Sequence, residues 1–260
     1  MAFAPLLWLV TLATAAAFFV RRWWLPQPIN LHGLHFDSWF SLNLAVAGII
    51  FLAAQLGLAW FVWRHRDRGQ QASPSHGSTR LETWWTALTT VLFLATALAG
   101  STLWTTSGPS TDAPILRIET VAKQFAWSFR YPGPDQRYGR TELRLVNDAA
   151  GNPFGIDDRD PAGRDDITSS ALRVPAGRPV ELALRSQDVI HNFFVRELRI
   201  KQDLVPGMNI PFRFQADTPG EYEIACSELC GLGHHQMRSV LIVLPPAQFE
   251  SWLATQTAAR

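Results

Sequence analysis

Two cysteines, a pair of adjacent histidines and a methionine fall within twelve residues of a 260-residue chain, in the run Cys226-Ser-Glu228-Leu-Cys230-Gly-Leu-Gly-His234-His-Gln-Met237. The protein has no other cysteine. Thiolate and thioether sulfur are soft donors that select copper over hard cations, and imidazole suits copper or zinc. The spacing therefore reads as a soft-metal site, for electron transfer or for structure. A more distant histidine, His191, stands upstream in the strand-like residues 189–198 beside Phe193 and Phe194, and would complete the donor set. A disulfide between the two cysteines is a common device in exported domains but leaves His234 and Met237 without a purpose. Structural zinc gains little from a thioether. A mononuclear blue-copper centre needs one cysteine, two histidines and a weak methionine, so the second thiolate would be surplus. Two thiolates argue for two metal ions.

Taken together, His191, Cys226, Glu228, Cys230, His234 and Met237 resemble the dinuclear copper (CuA) motif of cytochrome c oxidase subunit II. The resemblance extends to Gly231, to Asp188-Val-Ile-His191, and to Lys201-Gln-Asp203-Leu-Val-Pro206-Gly207. It implies that Cys226 and Cys230 bridge two copper ions, that His191 and His234 each bind one, and that Met237 is a weak ligand. The backbone carbonyl of Glu228 would be the last ligand, and His235 would not be one. It also implies that the Glu228 carboxylate helps bind a magnesium ion at the boundary with subunit I. A rigid pair of metals sharing one electron through covalent sulfur changes geometry little on reduction, which favours fast transfer, and no substrate has to enter.

Those ligands must be carried by a scaffold, and composition bounds it. With 47% hydrophobic residues and 11 Trp, the chain can hold one ordinary domain plus membrane segments. A net charge of +1 excludes a strongly basic nucleic-acid surface, so no nucleic-acid partner is expected. Apolar runs cover residues 3–20, 41–63 and 83–104. The second and third are each long enough to cross a hydrocarbon core of about 30 Å as helices. Between them lie Arg64, Arg66, Arg68 and Arg80 around a Gly/Ser/Pro-rich stretch, so by the positive-inside rule the loop near 64–80 is cytoplasmic. The domain beyond residue 104 is then periplasmic or on the equivalent outer face of an energy-transducing membrane, the plasma membrane of a bacterium. The first run, within residues 1–24, has Arg21 and Arg22 after it and no basic residue before it, the reverse of a signal peptide. An extra N-terminal helix, anchor or signal, is expected there, with an uncleaved span starting inside preferred. Residues 25–39, with His32 and His35, read as an exposed interfacial loop rather than a metal pair.

Residues 25–110 thus form a transmembrane helical hairpin and residues 111–260 a soluble β domain. Short apolar or alternating runs at 115–119, 141–146, 179–185, 193–198, 211–215, 221–225 and 238–243 are punctuated by turn residues. Seven such strands suggest an antiparallel sandwich. With copper ligands after a late strand, they suggest a cupredoxin-like Greek key. Residues 148–177, carrying Asp157, Asp158, Asp160, Asp165 and Asp166, read as a solvated surface excursion that lacks calcium-loop spacing. From residue 112 onward 19 acidic residues face 17 basic ones, so steering of a partner by net charge is weak. Residues 247–253 read as a short helix with an apolar face on the sandwich. No Cys-x-x-Cys-His occurs, so no c-type haem is attached.

The same resemblance assigns further residues. Residues 124–131, Gln-Phe-Ala-Trp-Ser-Phe-Arg-Tyr, are similar to the family's aromatic segment over the copper centre. Phe125 stands where the family has the Trp that receives the electron, and Trp127 is the alternative entry point or a core residue. Arg130 stands where an acid usually helps dock the donor, and a cation there would repel a basic cytochrome. Glu82 matches a Glu near the mouth of a proton pathway into subunit I, or is a helix N-terminal acid favoured by the macrodipole. The function implied is subunit II of a haem-copper cytochrome c oxidase, held in membrane lipid beside subunits I and III. It would accept electrons from cytochrome c, or from a membrane-bound cytochrome, and pass them to haem in subunit I for oxygen reduction coupled to proton transport. Two rivals share the ligands: the CuA subunit of a nitric oxide reductase, and a membrane-tethered copper-holding assembly protein. The quinol-oxidase homologue lacks them.

Overall fold

A computed structural model describes residues 3–20, 25–67, 69, 71, 74, 76–106 and 114–258. They form two compact units, one of helices and one built on residues 27–34 and the β domain. Arg21, Arg22 and Arg68 lie outside the described residues.

The helical unit contains α1 (Phe3–Val20), most of α2 (Leu31–Arg64) and α3 (Thr79–Thr106). Among the described residues, 31–64 and 79–103 are long and apolar enough to cross a membrane, and α1 is a shorter apolar helix. Outward-facing Trp84, Trp85, Leu88, Phe93 and Leu98 would be costly in water and are at home in lipid. Hydroxyls that interrupt the apolar runs are silenced locally: Thr83, Thr89 and Thr96 each donate to the carbonyl four residues back, at 2.8, 3.0 and 3.1 Å. Ala4, Thr11 and Ala59 are buried, and the Trp8 indole of α1 donates to the Leu56 carbonyl of α2 at 3.4 Å.

From Leu31 onward the expected loop at 25–39 is instead helical, the start of α2. Asn30 caps the helix, its Oδ1 accepting the Gly33 N–H at 2.8 Å. Its neighbour Ile29 is buried in the core of the β unit, donating to Glu197 and accepting from Asp217 at 3.2 and 2.7 Å. The sequence reading missed this because a cap and a single buried isoleucine give no periodic signal.

The β unit is a sandwich of two five-stranded sheets in the orders β3-β2-β1-β5-β8 and β4-β10-β9-β6-β7. Its strands are β1 (Leu116–Lys123), β2 (Ala126–Tyr131), β3 (Ile167–Ser169), β4 (Leu172–Pro175), β5 (Val180–Ser186), β6 (His191–Val195), β7 (Ile200–Leu204), β8 (Ile210–Phe214), β9 (Gly220–Cys226) and β10 (Arg238–Leu244). Alternation puts Ile118, Phe129, Leu182, Leu184, Phe193, Phe214, Ile224 and Leu241 into one core. Helix α4 (Pro246–Ala258) caps it as expected, with Phe249 buried and Trp252 edge-on to Tyr131 at 5.1 Å. The fold is thus the membrane-anchored, cupredoxin-like β-sandwich that the sequence implies.

Two details correct that expectation. The sheets are mixed, because β1 pairs with β5 and β10 with β4 in parallel. Inward alternation looks the same in either direction, and these partners are joined by long connections rather than hairpins. The strand expected at 141–146 is a lone bridge, Thr141 to Ile156, followed by a tight turn at Leu143–Leu145. Asn152 holds that segment by donating to the Leu145 and Ile156 carbonyls at 3.2 and 2.9 Å, an alternative to a sheet ladder.

The acidic excursion is only partly solvated. It contributes β3 and β4, and Asp157 and Asp166 are buried. Asp157 pairs with Arg140 at 2.9 Å, and Asp160 accepts the Arg140 N–H at 2.8 Å. Arg130 is no surface docking cation: it is 1% exposed, ion-paired with Asp166 and with Glu119 at 2.8 Å, and under the Tyr138 ring at 5.0 Å. Sequence reading placed it outside because charged residues are rarely buried unless paired, and its partner Asp166 lies far along the chain. Arg130→Met should cost about 3–5 kcal/mol by stranding Asp166 in the interior. Arg130→Met with Asp166→Leu should recover most of that, as read from thermal unfolding of the purified chain.

Candidate metal centre

The ligand-bearing segments meet at one end of the sandwich because β6 and β9 are neighbours. His191 opens β6, Cys226 closes β9, and Phe193 lies opposite Cys226 in the antiparallel register. The chain then loops out from Cys226 and returns at Met237, whose carbonyl accepts the Cys226 N–H at 3.1 Å. Within the loop a short turn at His234–Gln236 directs His234 back toward the sulfurs. Gly231 is needed there as glycine: its φ is +132°, and a side chain would meet the Phe125 ring at 3.2 Å and the Gln124 amide at 2.8 Å.

The resulting donor set has two halves. The Cys226 and Cys230 sulfurs stand 3.8 Å apart, well beyond the roughly 2.05 Å of a disulfide, and both are free thiols. Cys226 Sγ lies 3.9 Å from His191 Nδ1 and 3.2 Å from the Glu228 carbonyl. Cys230 Sγ lies 3.6 Å from His234 Nδ1 and 3.8 Å from Met237 Sδ. His191 and Met237 are fully buried, both cysteines nearly so, and His234 is half-buried at the rim. Among the described residues, His191, Cys226 and Cys230 form the one group of titratable side chains close enough to hold a metal ion.

Burial, followed by the neighbouring Cys226, pushes the Cys230 thiol up to about 11. Such a sulfur stays protonated at neutral pH until a metal displaces the proton. On the far side of His191, Nε2 meets Asp188 Oδ1 at 2.8 Å, which leaves Nδ1 facing the sulfurs. Burial alone would raise Asp188, but the Gln124 N–H at 2.7 Å, His191 and the Val189 N–H together hold its carboxyl below the usual range. Gln124 also donates from its side chain to the Cys230 carbonyl at 2.6 Å, tying the β1–β2 turn to the loop.

The six residues singled out from sequence, His191, Cys226, Glu228, Cys230, His234 and Met237, are therefore together. Phe125 is 38% exposed and lies flat on the loop, so close that a side chain at Gly233 would come within 2.5 Å of its ring. Trp127 is buried, edge-on to His191 at 6.4 Å and to Phe193 at 5.9 Å. The Glu228 carboxylate is at the surface, as is His235. Glu82 belongs to the helical unit, in the first turn of α3, where its N–H bonds the Ser78 carbonyl. His32 and His35 sit in the first turns of α2. Sequence reading missed the supports Gln124, Asn192 and Ser227. Only Asp188, three residues before His191, leaves a local signal.

Residues 116–244 match the family model described as cytochrome C oxidase subunit II, periplasmic domain. The alternative cytochrome c oxidase subunit 2 of Bradyrhizobium diazoefficiens is 34% identical, over 98% of this chain and 92% of its own length. Cytochrome c oxidase subunit 2 of Thermostichus vulcanus is 28% identical, over 88% of this chain and 77% of its own. The crystal structure of the periplasmic domain of subunit II of cytochrome oxidase from Bradyrhizobium japonicum is 25% identical. It covers 58% of this chain and 97% of that domain, with a TM-score of 0.40. Full-length similarity to the first of these, added to the matched domain, makes this chain a member of the cytochrome c oxidase subunit II family.

Proposed function

We propose that this chain is the electron-entry subunit of a haem-copper cytochrome c oxidase and holds a dinuclear CuA centre. The observation that carries the reading is the pair of free sulfurs 3.8 Å apart, each with its own imidazole. Copper fits these donors: two thiolates, two imidazoles, a thioether and a carbonyl are soft or borderline, and zinc would leave the Met237 sulfur unused. When bound, the copper pair supplies one-electron redox chemistry.

The protein's own residues do the rest. Cys226 and Cys230 would hold both ions, His191 and His234 one each, with Met237 and the Glu228 carbonyl as weak donors. Asp188 orients His191 through Nε2, the arrangement that fixes tautomer and raises ligand basicity. Burial of His191, Met237 and both cysteines keeps water out and the donors still, so little rearrangement accompanies a change of charge. Phe125 offers the solvent-accessible edge nearest the loop, and Trp127 a buried one beside His191. Electrons would arrive there from a cytochrome c, the donor named for the relatives, or from a membrane-bound cytochrome, and leave for haem in subunit I, where oxygen is reduced to water. The exposed Glu228 carboxylate suits a magnesium ion shared with subunit I, and Glu82 the entrance of its proton pathway. The β domain would be periplasmic, anchored by α2 and α3 in a bacterial plasma membrane alongside subunits I and III.

In the purified complex, Cys226→Ser or Cys230→Ser should abolish the mixed-valence copper signal in electron paramagnetic resonance. A single bound zinc, or a disulfide in the working enzyme, would sink the reading. Met237→Leu nearly conserves volume, so it should cost less than about 1.5 kcal/mol of stability while raising the reduction potential. Phe125→Trp should change the rate of cytochrome oxidation without altering copper content, and an unchanged rate would move the entry point elsewhere.

A further inference from the structure

Glu228 and Leu229 form the outermost bend of the loop, and their side chains contribute nothing to holding it: Glu228 is exposed, and Leu229 is 79% exposed. Yet the Glu228 carbonyl is turned inward, 3.2 Å from Cys226 Sγ. Its direction must be set by the residues on either side. Downstream, the Cys230 carbonyl is held by Gln124 at 2.6 Å. Upstream, Ser227 is held twice by Asn192, the residue after His191. The Ser227 N–H donates to the Asn192 carbonyl at 3.2 Å, and its hydroxyl donates to Asn192 Oδ1 at 2.6 Å.

Asn192 is itself locked. It is 5% exposed, and its Nδ2 donates to Asp203 Oδ1 at 2.6 Å, across the β6–β7 register that pairs the two residues. A carboxylate only accepts, so the amide nitrogen must face Asp203 and the amide oxygen is left for Ser227. A chain of bonds thus runs from β7 through the His191-bearing strand to the residue between Cys226 and Glu228.

We propose that Asn192 and Ser227 are positioning residues that fix the Glu228 carbonyl as a donor to the metal beside Cys226, and thereby help set the potential of the centre. The inference rests on the copper reading above. A weak oxygen donor would stabilise the oxidised ion, so loosening it would favour the reduced state.

The test uses the intact oxidase complex, with copper content, electron paramagnetic hyperfine pattern, reduction potential and melting temperature measured for each variant. Ser227→Ala and Asn192→Ala should keep two copper ions per chain, alter the hyperfine pattern and raise the potential. Ser227→Thr, which keeps the hydroxyl, should restore both. A merely structural role would lower the melting temperature and leave pattern and potential at their wild-type values, and that result overturns the proposal. If Ser227→Ala fails to assemble, Asp203→Ala decides in its place: a shift in the same direction supports the clamp, and wild-type values refute it. A wild-type complex without copper would instead refute the copper reading itself.

Discussion

Two sulfur atoms that would each carry negative charge when metallated are held 3.8 Å apart in a nearly dry pocket, and the rest of the β unit serves that placement. Unmetallated, the arrangement is tolerable because burial keeps Cys230 protonated. With metal bound it would become favourable, because the cation would offset the charge of both thiolates. Holding two thiols close without joining them needs a backbone that allows neither collapse nor drift. The bond from Cys226 to Met237, the β6–β9 register and the Gln124 contact to Cys230 supply it. Each is a main-chain or amide interaction, independent of the metal.

Away from the centre, the sandwich tolerates a fully buried cation. Arg130 is affordable because Asp166 and Glu119 converge on it and because Gly139 offers its carbonyl at 2.7 Å. The cation therefore does not reach the surface on which a donor would land. What a partner meets near the loop is largely apolar: Phe125, Val189, Ile190, Leu229 and Leu232 are all exposed, Leu232 almost completely. Any donor proposed to dock here would be recognised more by contact than by field, in keeping with the near-neutral domain.

Much of this was legible in the chain. The donors, the apolar spans, the capping helix at the end and the sandwich class all rest on local signals: donor chemistry, run length and alternation. These are properties a segment possesses before it meets any other. The acidic excursion and Arg130 differ from expectation because a charged residue declares itself exposed until its partner is known, and residues 25–39 because one cap and one buried isoleucine carry no periodic signal. Asp166 for Arg130, and Glu197 and Asp217 for Ile29, are supplied from far along the chain.

By itself, then, the sequence determined which atoms are available to bind metal and that they sit on a β domain tethered by apolar helices, because ligand identity and hydrophobic period are written residue by residue. Only the tertiary structure decided that His191 comes to the two sulfurs, 3.9 Å from that of Cys226, that two sheets are mixed rather than antiparallel, and that Asn192 reaches Ser227. Those facts depend on strand register, and register is settled by packing both faces of a sandwich at once.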